Sequence, residues 1–183
     1  AIVDEVSIPH LRIAPFILGI VISAEATAYH AKLIRERGNE YGPMIRLRME
    51  AGFFITGADY IRAQQARRMV NREFHQALSK VDILVTPTIP VTAPKYDETH
   101  YPEELYDRAR GHVDLGSTSR PVREALTRFT RLFNISGIPT ISIPCGLSSN
   151  NLPIGLQLAG RSFADTTVLN AAYAYEQVTE WHK

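Results

Sequence analysis

The hydroxyls of Gly116-Ser117-Thr118-Ser119 are the first place to look for a nucleophile, since serines clustered after a glycine can present a side chain on a tight turn. Such a serine needs a base beside it. The four lysines, Lys32, Lys80, Lys95 and Lys183, all lie outside apolar strands that could desolvate an ammonium into a neutral base. No Gly-Gly dipeptide occurs in the chain, so a backbone loop that holds an oxyanion would lack its second glycine pair. Ser117 and Ser119 therefore read as a polar turn before Arg120-Pro121, and no residue of the chain is assigned as catalytic.

The other reactive types point elsewhere. Cys145, the single cysteine, excludes an internal disulfide or a thiolate metal cluster and fits a reducing compartment. At the end of an apolar strand it reads as a small buried hydrophobe. His10, His30, His75, His100, His112 and His182 have no ligand spacing, such as two histidines one helical turn apart, so no metal site and no cofactor is expected. Arg62, Arg67, Arg68 and Arg72 form a basic helical face that Asp59 and Glu73 interrupt, and a solvated face is the expected reading. Asn134, close before Gly137 at a helix end, is expected to satisfy backbone groups.

These residues need elements to hold them. Ser23 reads as the N-cap of a helix running to Arg37, ended by Gly38-Asn39, and Tyr41 to Met49 as a second short helix. Thr56 with Asp59 resembles a capping box for a long helix whose buried stripe is Tyr60, Ala63, Ala66, Val70, Phe74, Ala77 and Val81. Asp82 to Thr86 is a short strand stopped by Pro87 and Pro90. A long proline-bearing stretch follows to Pro121, with a helical turn expected at Pro102 to Arg110. One helix is expected through Val122, Leu126, Phe129 and Phe133. Thr140 to Ile143 and Ile154 to Ala159 form two strands around a Ser148 to Leu152 turn, and Asp165 is expected to cap a last helix ending near Trp181.

The fold class that follows is α/β, a mixed β-sheet flanked by helices in a single domain over 1–183. So few strands leave sheet edges bare, and bare edges invite other chains, a second copy in a homodimer among them. The 183 residues carry 20 basic and 19 acidic side chains, 16 of the cations being arginine, so no long-range field favours nucleic acid. Nothing reads as a signal peptide or a span of about 20 apolar residues, which makes no membrane contact and a cytoplasmic location the expectation. The opening Ala-Ile-Val-Asp-Glu-Val-Ser-Ile-Pro starts inside what reads as a strand or a strand exit, and with the bare edges this reads as a fragment of a longer polypeptide.

Five segments, in order, carry a resemblance: Glu-Val-Ser-Ile-Pro at the start, Ala-Asp-Tyr-Ile-Arg-Ala-Gln-Gln-Ala-Arg at 58–67, Asp-Ile-Leu-Val-Thr-Pro-Thr at 82–88, Phe-Thr-Arg-Leu-Phe-Asn-Ile-Ser-Gly-Ile-Pro from 129, and Leu-Pro-Ile-Gly-Leu-Gln-Leu-Ala-Gly from 152. Together they resemble the C-terminal portion of amidase-signature enzymes, which include amidases, the A subunit of tRNA-dependent amidotransferases, fatty-acid amide hydrolase and allophanate hydrolase. The resemblance implies a partial amidase-signature fold and a parent enzyme that cleaves carboxylic amide C–N bonds with a serine, a second serine joined by a cis peptide, and a lysine. Those groups belong to a Gly-Ser-rich segment and a lysine strand that this chain lacks, so the chain alone is expected to be inactive. It would supply sheet and pocket wall for a small amide substrate, with Arg48, Thr127 and Asn134 as the candidate substrate-binding residues. Arg48 stands where the amidotransferases have an arginine for the glutamine carboxylate, and Thr127 where they have an aspartate for its amino group, a departure from the glutamine pattern. Apart from the resemblance, Arg48 reads as a helix-surface ion-pair partner. The alternatives are a non-catalytic binding module and part of the A subunit of a glutamine-using amidotransferase.

Overall fold

The computed structural model describes residues 2–94, 112–114 and 119–181. Residues 2–8 form no strand, contrary to the sequence reading, and lead into a 3-10 turn, Pro9–Ile13, and then into helix α1, Ala14–Arg37. This helix begins well before Ser23. Pro15 supplies the helix-starting φ at its first turn, and Ser23 sits mid-helix with its carbonyl beside Gly52. A second 3-10 turn, Gly38–Glu40, leads to α2, Pro43–Gly52, and α3, Gly57–Leu78. The α3 capping box is present: the Thr56 hydroxyl accepts from the Asp59 N–H at 3.1 Å, and the Asp59 carboxylate reaches back to the Thr56 N–H.

Strand β1, Leu84–Pro87, follows. A small hairpin pairs β2, His112–Asp114, with β3, Ser119–Pro121. The expected turn at Pro102 to Arg110 lies outside the described residues, as do Ser117, Lys95 and His100. The single helix expected through Phe133 is two, α4, Val122–Leu126, and α5, Thr130–Ser136. Thr127 leaves helical geometry at φ −111° and ψ 5°, and its carbonyl accepts the Thr130 hydroxyl at 3.4 Å, a local side-chain bond that competes with helix continuation.

Strands β4, Thr140–Leu147, and β5, Pro153–Ala159, form the hairpin read from the sequence. Its turn is closed by Ser148, whose N–H donates to the Leu152 carbonyl at 2.8 Å and whose hydroxyl accepts from the Leu152 N–H. The sheet order is β1-β5-β4, with both ladders antiparallel, so β1 and β4 run parallel on either side of β5. The last helix, α6, is Asp165–Gln177, capped at Ala164 rather than Asp165 and shorter than expected. The Thr179 hydroxyl takes the Tyr175 carbonyl at 3.0 Å and ends it.

Two apolar clusters hold these layers. The larger joins Ala14, Ile17 and Val21 of α1, Val70, Phe74 and Leu78 of α3, Leu132, Phe133 and Ile135 of α5, and Leu84 and Ala159 of the sheet. The smaller packs Val168 and Ala172 of α6 on Ile143 and Leu158. Contrary to the sequence reading, the stretch around α1, Pro9–Glu40, is long and apolar enough by length and composition to cross a membrane. One side of α1 is nonetheless committed to protein, because α2, α3 and α5 all pack against it.

Candidate functional site

Arg48 projects from α2, next to buried Met49, and is half-buried. Among the described residues it makes no ion pair, unlike its neighbour Arg46, which binds Glu50 at 2.7 Å. Its charge acts on another guanidinium, that of Arg131 in the first turn of α5. Burial lowers the Arg131 pKa, the Arg48 charge lowers it further, and Glu124 of α4 opposes both. Two like charges that repel in this way favour an anion nearby, because a carboxylate would relieve the repulsion and accept several N–H donors at once.

The backbone explains how Arg131 is aimed. Its N–H donates to the Thr127 carbonyl at 3.1 Å, so the helical spacing survives the break between α4 and α5. Thr127, Arg131 and Asn134 therefore stand at i, i+4 and i+7 along one line. Asn134 is exposed and does not serve the backbone as expected. Gly137, at φ 70°, ends α5 in the left-handed conformation, and its N–H together with the Ser136 hydroxyl takes the Phe133 carbonyl. Thr127 and Asn134 thus flank Arg131, which sequence reasoning passed over, and Arg48 acts on it through its charge. Its signal was its place in Phe-Thr-Arg-Leu-Phe-Asn, one turn from both Thr127 and Asn134.

A second polar group lies on the sheet. Thr86, Gln157 and Ser142 align across β1, β5 and β4, and Gln157 is only 6 % exposed. Thr88 extends the row, its N–H on the Gly155 carbonyl at 2.9 Å and its hydroxyl 2.5 Å from that of Ser142. A Cβ on Gly155 would come within 2.7 Å of the Thr88 hydroxyl, so glycine is required there. Among the described residues the two hydroxyls partner each other, an arrangement that suits hydrogen bonding to a carbonyl. Thr-Pro-Thr and Ile-Ser-Ile carried that alternation in the sequence, but the pairing needed the strand order.

The remaining candidates have structural roles. Cys145 is half-buried in a β-bulge between Pro144 and Gly146, not deep in the core, because the bulge lifts it off the ladder; its thiol meets the Ile154 carbonyl at 3.5 Å. Arg67 is not solvated: its Nε donates to the Ile135 carbonyl at 2.7 Å and ties α3 to α5, while Arg62, Arg68 and Arg72 are exposed. His10 binds Glu73 through ring and backbone, and His30 accepts or donates a bond with the Tyr41 hydroxyl at 2.9 Å. A shallow depression beside His75 and Ser162 is floored by Arg161, whose Nε caps the Leu78 carbonyl at 2.8 Å.

Comparison with known proteins gives one direction. The family model described as Amidase matches residues 1–169. An amidase of Pseudomonas putida is 33 % identical over 180 residues, covering 98 % of this chain and 36 % of that protein. The A subunit of the glutamyl-tRNA(Gln) amidotransferase of Thermodesulfovibrio yellowstonii is 31 % identical over 203 residues, covering 98 % and 38 %. A solved amidase structure superposes with TM-score 0.85 at 29 % identity, over 98 % of this chain and 38 % of that one. The chain spans less than two-fifths of the length of these relatives.

Proposed function

The chain belongs to the amidase (amidase-signature) family, and we propose that it forms the substrate-pocket and structural part of an enzyme that cleaves a carboxylic amide C–N bond. The observation that carries this reading is the partly buried Arg131, which feels the Arg48 charge and stands one turn from both Thr127 and Asn134. In this reading the paired guanidiniums hold an anionic end of the amide substrate. The Thr88–Ser142 hydroxyls form a hydrogen-bonding wall on the sheet. The nucleophile, the cis-joined second serine and the lysine that activates it belong to polypeptide outside this chain, which acts as one unit and is inactive alone. Helix α1 is read as a core helix of a cytoplasmic protein.

The test is direct. The isolated chain, incubated with simple amides and with glutamine, should release no ammonia above background, and a burst of acyl-enzyme would overturn the assignment. A second reading, the A subunit of an amidotransferase, is favoured by the identity to the Thermodesulfovibrio protein and disfavoured by Thr127, which has no charge to offer an ammonium group. Saturable glutamine binding that Arg48→Ala and Arg131→Ala each abolish would revive it.

A further inference from the structure

The face of the sheet that enters the larger core does not stay apolar. Leu84 and Thr86 of β1, with Thr88 just past its end, share that face with Ala159, Gln157 and Gly155 of β5, because side chains alternate along a strand. Leu84 and Ala159 belong to the core, Gln157 is 6 % exposed, and Ser142, across from it on β4, is open. The row therefore runs from the interior out to a rim, and Gln157 stands at the boundary. Its Oε1 accepts from the Thr86 hydroxyl at 3.5 Å, the outer limit of such a bond, and its amide nitrogen has no partner among the described residues. That nitrogen is not sealed in either, since among the described residues the fully enclosed side-chain polar atom without a partner is Asn71 Oδ1.

Donors are in surplus along this row. A carboxamide brings two N–H groups, and of the Thr88 and Ser142 hydroxyls, 2.5 Å apart, only one can give its proton to the other. Gly155 lets the two meet, because a Cβ there would stand 2.7 Å from the Thr88 hydroxyl and 3.1 Å from that of Ser142. An unmet N–H pair on a nearly buried side chain is costly, and the group that relieves it is an oxygen acceptor. The row holds no charged side chain, so the fitting acceptor is neutral: a carboxylate would exchange water for dipoles alone, whereas a carbonyl needs no more than these donors. We propose that Gln157, with Thr88 and Ser142, is a binding site for a neutral carbonyl oxygen carried by the substrate. The inference rests on the functional reading above and narrows the substrate class to amides whose chain bears such a carbonyl. An analogue without it leaves the Gln157 donors unpaired, which a site built on hydrogen bonds rejects more strongly than an apolar site rejects a missing methylene.

The experiment follows the side-chain amide resonances of Gln157 by NMR in the isotope-labelled 183-residue chain, with acetamide as the probe. Those resonances should move saturably as acetamide is added in the millimolar range. Gln157→Met keeps the length of the side chain and removes its donors; it should weaken acetamide binding about tenfold, read on neighbouring backbone resonances, without lowering the melting temperature. Ser142→Ala, at an exposed position, should weaken it less and serves as the second variant should Gln157→Met fail to fold. Three results overturn the proposal: no saturable movement, undiminished binding in the variants, or Gln157 amide protons already protected from exchange in the free chain, which would mean that the protein's own groups satisfy them. Succinamate, which adds an anionic end, separates this inference from the functional reading. If acetamide binding follows Gln157 while Arg131→Ala leaves succinamate binding unchanged, the functional reading alone fails; if Arg131→Ala weakens succinamate binding while Gln157→Met leaves acetamide binding unchanged, the carbonyl site alone fails.

Discussion

Gly52 occupies the point where the end of α2 presses on the middle of α1. A Cβ there would lie 1.9 Å from the Thr27 hydroxyl and 2.4 Å from the Ser23 carbonyl, and Thr27 is itself held by its 2.7 Å bond to the Met49 carbonyl. Gly52→Ala should therefore cost about 3 kcal/mol in urea unfolding, as overpacking against backbone does. Gly57→Ala, with nothing within 4 Å, should be neutral or stabilising. A different dependence belongs to Glu73. Hydrogen bonds from the His10 side chain and backbone hold its carboxyl below the ordinary 4.5. Because the folded state binds this proton less readily than the unfolded one, the stabilisation is present above that value and fades as pH falls through the lowered folded pKa. In Glu73→Gln the fall of melting temperature below pH 5 should be shallower than in the parent protein.

Among the elements, α3 is the one whose start is written most locally. Thr56→Ala removes the hydroxyl that accepts from Asp59 and should cost about 1 kcal/mol in denaturant unfolding, with Thr56→Ser restoring most of it. The box was legible because Thr56, Asp59 and the apolar period all lie within one segment, and the β4–β5 hairpin was legible for the same reason. The start of α1 was not, because Ser23 looks like a cap until Gly52, far along the chain, is seen against its carbonyl. The division of α4 from α5 hid behind an unbroken apolar period through Thr127. The candidate site divides likewise: Thr127 and Asn134 share a short segment, whereas the approach of Arg48 to Arg131 and the Thr88–Ser142 pair are tertiary events that no local pattern encodes.

For the molecule as a whole, Phe74 joins the parts. It is 1 % exposed, meets the Phe133 ring at 5.8 Å between centroids, and belongs to the cluster that includes Leu84 and Ala159 of the sheet. Phe74→Ala should cost about 3–5 kcal/mol, read by chemical denaturation, because helices and sheet both lose a filler. The placement of β5 between β1 and β4 has one more consequence, for synthesis. Leu84 pairs with Ala159, so the β1–β5 ladder can close only once β5 has been made. Helices α2 and α3, which both pack on α1, can assemble with it while that strand waits. The side of β1 that faces β5 thus waits while the helices assemble, and the length of that wait is set by the chain between residues 87 and 153.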